Sequence, residues 1–332
     1  MFCSLLLSGR ICRHKRVKSF HCCSSNQHWR RSLWYCTTSE YAYIIVTVSV
    51  KYDRNVSIMV TNDNNMTRTI SRSLAGVLER LELEQPTLVA TADLGHVLSE
   101  LGIKTPVRVV AARLRDRGWL LSTDRAGVWE FAPAALAGAY PSHDPLMPLR
   151  VVLVRHPQTC CALTLQTAAW ALGIADRLPN RPEVAIDSLS HSNRFPESLS
   201  VLVYKPTLSP IEAKGVPALT PESIIVHMAS KPTDVRSWQS ALEWLPDLAA
   251  ELDIEKLLAE LQGRSKTAVA RTGYLLQGLR PDLSRRIYQG IGALTKTWFG
   301  PRGSLRHHDN HWLIADTILP FDPRELGEVS WR

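Results

Sequence analysis

Between Ile70 and Phe131 the apolar residues run at a helical period and then drop to a strand period, and that order leaves few folds open. Ile70, Leu74, Val77, Leu78 and Leu81 recur at three- and four-residue steps, which predicts one amphipathic helix. Glu84-Gln85-Pro86 ends it, and Leu88-Val89-Ala90 follows as a short extended piece. Thr91 is the expected N-cap of a second helix, with Leu94, Val97, Leu98 and Leu101 facing inward. Gly102 can take the left-handed position after that helix. Thr105 is the expected cap of a third helix, with Pro106 at its first position, where a missing N–H costs nothing. Its inward set is Val107, Val110, Ala111 and Leu114, and Gly118 stops it. The period then drops to that of strands over 119–121 and 128–131, with a turn at 122–127. Helix, helix, tight turn, helix, hairpin is the order of a winged helix-turn-helix, here over 67–134.

At about 100° per residue, the side of the third helix opposite its core set carries Thr105, Arg108, Val109, Ala112 and Asp116. Arg113 and Arg115 flank this side, and Lys104 stands at its entry. Small residues allow close approach to a major groove, Arg108 can pair with a guanine edge, and Val109 can touch a thymine methyl. Arg113, Arg115 and Arg117 suit phosphates instead. Arg125, in the hairpin turn, is placed for a minor groove or a phosphate. The expected DNA-binding set is therefore Lys104, Thr105, Arg108, Val109, Ala112, Arg113, Arg115, Arg117 and Arg125. Two plainer readings compete with it: a solvated basic face, and a winged helix that docks protein.

The net charge of +8 does not by itself argue for nucleic acid. Residues 1–58 hold nine of the 39 Lys and Arg and only two acids, Glu40 and Asp53, so the rest of the chain is almost neutral. Five of the seven cysteines also fall within the first 36 residues; only Cys160 and Cys161 lie beyond. Adjacent cysteines rarely bridge each other, so the main body has the cysteine usage of a reduced, cytoplasmic protein. The first stretch shows no clear period apart from residues 41–50, and that apolar run is too short to span a membrane. Three explanations of it compete: a transit peptide, a zinc site, or a start codon set too far upstream, with Met59 and Met66 as alternative starts. The last is favoured, and residues 1–66 are expected to be disordered or an upstream stretch outside the fold.

Residues 133–148 are rich in Ala, Gly and Pro and read as a linker. Beyond them, 149–332 reads as a larger mixed α+β domain with a helical C-terminal half. Helices are expected at 149–155, from Thr164, at 222–229 behind a Thr220 cap, and at 235–245, 253–261, 265–279 and 283–291. Strands are expected at 160–163, 184–186, 200–204 and 311–318. The chemistry is sparse. No phosphate-cradling glycine loop, nucleophile elbow or H-E-x-x-H is present. His307, His308 and His311 form a ligand-like cluster, but their setting reads as a loop of solvated histidines. Cys160 and Cys161 read as buried thiols, and Asp176 and Asp187 as turn residues. No cofactor, metal or catalytic residue is assigned, and the chain is not expected to be an enzyme. An enzyme of unrecognised type in the second domain stays as the weakest alternative.

One resemblance bears on function. Residues 163–173, followed by Asp176-Arg177 and Pro182-Glu183-Val184, are similar to the signature of AbiEi-type antitoxins. So are Arg117-Gly118-Trp119-Leu120, residues 127–131 of the hairpin, and the helix start Pro221-Glu222-Ser223-Ile224. The resemblance runs from about Ile70 to the C-terminus, towards an actinobacterial, mycobacterial branch. It rests on the order of several moderate motifs, and residues 1–58 have no counterpart. It implies the antitoxin and transcriptional repressor of a type IV toxin–antitoxin system. The winged helix would bind inverted repeats in the promoter of its own operon, as double-stranded DNA. The second domain would counter a nucleotidyltransferase toxin, for which direct contact is not required. No membrane is implied.

Overall fold

The structure, a computed structural model, describes residues 28–34, 45–51, 57–61, 68–70, 72–134 and 144–327, and the described residues before 72 form an antiparallel ladder. Strands β1 (His28–Trp34), β2 (Ile45–Lys51), β3 (Ser57–Thr61) and β4 (Arg68–Ile70) pair in chain order. The expectation of an unfolded 1–66 lies largely outside the described residues. Ile70 pairs with Ile58 at the end of β4 and does not open the first helix, which starts at Arg72.

The segment that follows builds its own small core. Helix α1 (Arg72–Glu84) leads into β5 (Leu88–Ala90), α2 (Thr91–Glu100), α3 (Val107–Asp116), β6 (Leu120–Ser122) and β7 (Val128–Phe131). Strand β7 lies between β5 and β6, antiparallel to both. Leu74, Val77, Leu78 and Leu81 meet Leu94, Leu98, Val110 and Leu114, and Trp119 and Phe131 close the cluster. Burial of each such side chain is worth about 1.5–3 kcal/mol, which is why the helical period was so clear in this stretch. Leu101, expected inward, is exposed because α2 ends at Glu100 and the helical period no longer governs the next residue.

Both expected threonine caps are displaced. Pro106, not Thr105, is the N-cap of α3, and its carbonyl accepts from Val109 and Val110 at 2.9 and 3.2 Å. Thr91 is already the first helical residue of α2, and the Asp93 carboxylate accepts from the Ala90 N–H at 2.8 Å in its place. A carboxylate in the first turn also suits the positive end of the helix.

The rest is a mixed α+β arrangement. Helix α4 (Met147–Arg155) precedes β8 (Cys161–Leu163), α5 (Leu165–Ala171), β9 (Glu183–Ile186), a 3-10 turn (Leu189–Arg194) and β10 (Ser200–Val203). Strands β11 (Ile211–Ala213) and β12 (Val216–Ala218) complete a sheet of order β10-β9-β8-β12-β11. Helix α6 (Pro221–Ser230) is buried from Glu222 to Ala229 and packs against α5, α8, α9 and α10. Then come α7 (Trp238–Ala241), α8 (Leu245–Ala250), α9 (Ile254–Leu261), α10 (Lys266–Leu276) and α11 (Pro281–Ile291). The small sheet β13 (Thr297–Phe299), β14 (His307–Asp309) and β15 (Ile314–Asp316) follows, with β15 in the middle.

The differences from the sequence reading have local causes. The single helix expected at 235–245 is two short ones, because the Ser237 side chain caps a fresh start and Pro246 opens α8. The β11–β12 hairpin was not anticipated; Lys214 and Gly215 turn it with positive φ, and neither looks like a strand signal. The stretch around His307, read as a loop, is strand β14. The helix expected at 149–155 begins two residues earlier, with Leu146 buried just ahead of it. The two apolar clusters are separate, yet α4 packs against β5 and β7.

Candidate nucleic-acid interface

Helix α3 is steeply two-sided. Val110, Ala111 and Leu114 are buried, while Arg108, Arg113, Arg115 and Asp116 are exposed, with Lys104 exposed just ahead of the helix. Thr105, Val109 and Ala112 are half-buried between these sides. The exposed side is therefore the one that the spacing of apolar residues predicted. Among the described residues, the side chains of Arg108, Arg113 and Arg115 have neither an ion pair nor a hydrogen bond. An arginine so placed keeps its five donors for an outside acceptor. Arg117 is different: it is half-buried beyond the helix end, and its Nη1 is sunk without a hydrogen-bond partner among the described residues.

The hairpin beside α3 is held by short-range bonds. The Thr123 hydroxyl lies 2.8 Å from the Val128 carbonyl and accepts from the Arg125 N–H at 3.3 Å. Gly127 sits at φ +82°, a conformation L side chains rarely adopt. Between hairpin and helix lies a groove of about 430 Å³, into which Arg108, Arg115 and Arg125 contribute, with Trp129 along its wall. The structure thus brings three of the predicted arginines to one groove. Arg125 does not point freely outward: its Nη2 donates to the Arg194 carbonyl at 3.4 Å. Arg155, at the end of α4, donates to the Ala126 carbonyl at 2.8 Å. The hairpin is therefore braced against the second body.

The other candidates do not assemble into a reactive site. Cys161 is buried, and burial pushes its thiol up to about 11. Cys160, also expected to be buried, is exposed, because the chain enters β8 only after it. Asp187 is exposed and pairs with His191 at 3.3 Å. His311 stacks on Tyr288 with ring centroids 4.0 Å apart, and Asp309 turns inward to accept from the Trp312 N–H at 2.7 Å. Among the described residues no group of three His, Cys, Asp or Glu stands where it could hold a metal. No helix among them is long and apolar enough to cross a membrane.

One constellation escaped the sequence reading. The Thr164 hydroxyl lies 2.7 Å from His227 Nδ1, and His227 Nε2 lies 3.3 Å from Asp234. A hydroxyl, an imidazole and a carboxylate in line have the makings of a nucleophilic relay. Here Thr164 and His227 are fully buried, and the Tyr204 ring stacks on the imidazole at 4.2 Å. Burial holds His227 below its ordinary pKa, against the pull of Asp234. Residues 164, 227 and 234 stand on separate elements, and no spacing in the sequence joins them.

Comparison with known proteins bears on the second body. Residues 161–278 match the family described as AbiEi antitoxin C-terminal domain. This span runs from β8 to just past α10 and leaves α3 and the hairpin outside it. Among solved structures the chain is similar to the RV2827C protein from Mycobacterium tuberculosis, with 25% identity and a TM-score of 0.63 over 79% of this chain and 97% of that one. No curated protein matches.

Proposed function

We propose that the chain, whose residues 161–278 match the family described as AbiEi antitoxin C-terminal domain, is the antitoxin of a type IV toxin–antitoxin system and represses its own operon. In this reading residues 72–131 act as a winged helix on double-stranded DNA. Helix α3 enters the major groove, Arg108 reads a base edge, and Arg113 and Arg115 neutralise phosphates. Lys104, Thr105, Val109, Ala112, Arg117 and Arg125 complete the contact set. The second body counters a nucleotidyltransferase toxin encoded alongside, and that effect needs no contact between the two proteins. No residue is catalytic, and the site of action is the cytoplasm.

The observation that carries the reading is the exposed side of α3, with three arginines unengaged by any acid and a hairpin standing beside them. The test is fluorescence anisotropy on duplexes from the region upstream of the gene and on random duplexes. Selective binding that weakens steeply with salt is expected. Arg108→Ala should lose about 1–3 kcal/mol on the upstream duplex and much less on random DNA. Equal affinity for both duplexes would remove the repressor reading.

A second reading has one observation in its favour. The hairpin already bonds protein, through Arg125 to Arg194 and Arg155 to Ala126. A winged body used only for protein contact would show no selective DNA binding and would capture the neighbouring gene product in a pulldown.

A further inference from the structure

Where the hairpin meets the second body, a cavity of about 300 Å³ opens. Arg125 comes from the hairpin, Arg155 and His156 from the end of α4, and Ser190, Asn193 and Arg194 from the 3-10 turn. The guanidiniums are oriented by neutral acceptors. Arg155 donates to the Ala126 carbonyl at 2.8 Å, Arg125 to the Arg194 carbonyl at 3.4 Å, and Arg194 to the Thr159 hydroxyl at 2.8 Å. Among the described residues, none of the three lies within 4.0 Å of a carboxylate.

Elsewhere among the described residues Arg181, Arg271 and Arg306 also donate only to carbonyls, but singly, whereas here three guanidiniums line one cavity. Arg150, Arg264, Arg280 and Arg324 each meet an acid: Asp144, Glu260, Asp282 and Asp322. Asp187, just before the turn, is engaged by His191 and does not line this cavity. Three fixed positive charges converging on one cavity repel each other unless an anion enters. Their forked donors, with a hydroxyl and an amide beside them, match the oxygens of a phosphate better than those of a planar carboxylate alone. His156 already registers the field: partial burial first, then Arg194, Arg155 and Arg125, hold its pKa below the ordinary value.

We propose that this junction cavity is a phosphate site built from both bodies, and that a seated phosphate ties the hairpin to the second body. Two sources share that chemistry. Arg125 lines both the α3 groove and this cavity, so a phosphodiester of a duplex lying along the groove can reach it. A small polyphosphate can enter from solvent. Only the first source rests on the DNA-binding reading.

The test uses the full chain and two variants outside α3 and the hairpin, Arg194→Gln and the more exposed Arg155→Gln. Inorganic pyrophosphate is titrated by calorimetry, and the His156 imidazole is followed by NMR. Pyrophosphate binding that raises the pH at which His156 titrates, and that weakens tenfold or more in each variant, supports the site. The salt dependence of duplex binding then separates the sources. If a duplex phosphate fills the cavity, each variant lowers the slope of log affinity against log salt by about one, on any sequence. If a small polyphosphate is the source, the slope is unchanged while pyrophosphate binding is lost. A wild-type chain that binds no DNA would end the repressor reading, yet pyrophosphate binding lost in the variants would still establish the cavity. Absence of pyrophosphate binding together with unchanged slopes in both variants overturns the proposal.

Discussion

The Thr91 hydroxyl donates to the Gly127 carbonyl at 3.0 Å, and the Thr91 N–H reaches the same oxygen at 2.9 Å. The first residue of α2 thereby holds the hairpin turn that flanks α3. The hydroxyl falls on the path of a side chain at position 127: an added Cβ there would lie 2.9 Å from it, at a φ of +82°. Gly127→Ala should therefore destabilise the chain by about 1–3 kcal/mol, part from left-handed strain and part from the clash. In a Thr91→Ala background the loss should be smaller. Denaturant unfolding of the four variants in the cycle measures it, and strictly additive losses would show that the hydroxyl is not the obstacle.

Arg113 and Arg115 are exposed and their side chains unpaired on the flank of α3, so in the proposed reading their contribution to DNA binding is a charge effect. Arg113→Gln and Arg115→Gln should each lower the salt slope of binding by about one and weaken all sequences alike. Anisotropy titrations across a series of salt concentrations read this directly. A sequence-dependent loss at either position would instead make it a base reader.

Glu183 is 3% exposed at the start of β9, and burial pushes its carboxyl up to about 7 against the pull of Arg236. The fold favours the neutral form. This stability is fully present below the ordinary value of 4.5 and is lost as the pH rises through about 7. The loss across that window is on the order of 3 kcal/mol, at about 1.36 kcal/mol per pH unit. Glu183→Gln should remove this slope, so the difference in unfolding free energy between variant and parent should grow with pH. Taking the difference matters because buried His227 tilts the other way, losing its contribution as the pH falls. A pH-independent difference would contradict the assignment.

Glu260 is a fully buried carboxylate whose two oxygens are saturated. Tyr204 donates at 2.6 Å, the Thr207 and Leu208 N–H groups at 2.9 and 2.8 Å, and Ser223 at 3.0 Å, with Arg264 alongside. One side chain of α9 thus fastens the loop after β10 and the start of α6. Glu260→Ala leaves these donors and the arginine uncompensated and should cost about 3–5 kcal/mol in urea unfolding. Glu260→Gln should cost less, since one amide oxygen still accepts. A loss below about 1 kcal/mol for the alanine variant would mean the loop can re-pair with water.

The helices of the first core were legible because their cause is local. Val110, Ala111 and Leu114 share a side of α3 whatever surrounds it, so the exposed arginines opposite them could be named from spacing alone. Caps were less legible. Thr91 and Thr105 are good cap residues, but Asp93 and the Pro106 carbonyl were equally available, and the tertiary setting gave the Thr91 hydroxyl a different acceptor. Gly273 shows the same limit. Inside α10 it looks like a weak helix residue, yet a Cβ there would fall 2.1 Å from the Trp312 ring, 39 positions along the chain.

Residue type and period alone were enough to place the amphipathic helices, the hairpin and the free basic side of α3, because each depends on neighbours within one or two turns of chain. Packing between distant segments decided the rest. The order β10-β9-β8-β12-β11, the Thr164–His227–Asp234 line and the meeting of Arg125, Arg155 and Arg194 each join residues from separate elements. Such encounters are set by how α4 lies on β5 and β7 and how α6 is enclosed, and no period in a linear chain encodes them.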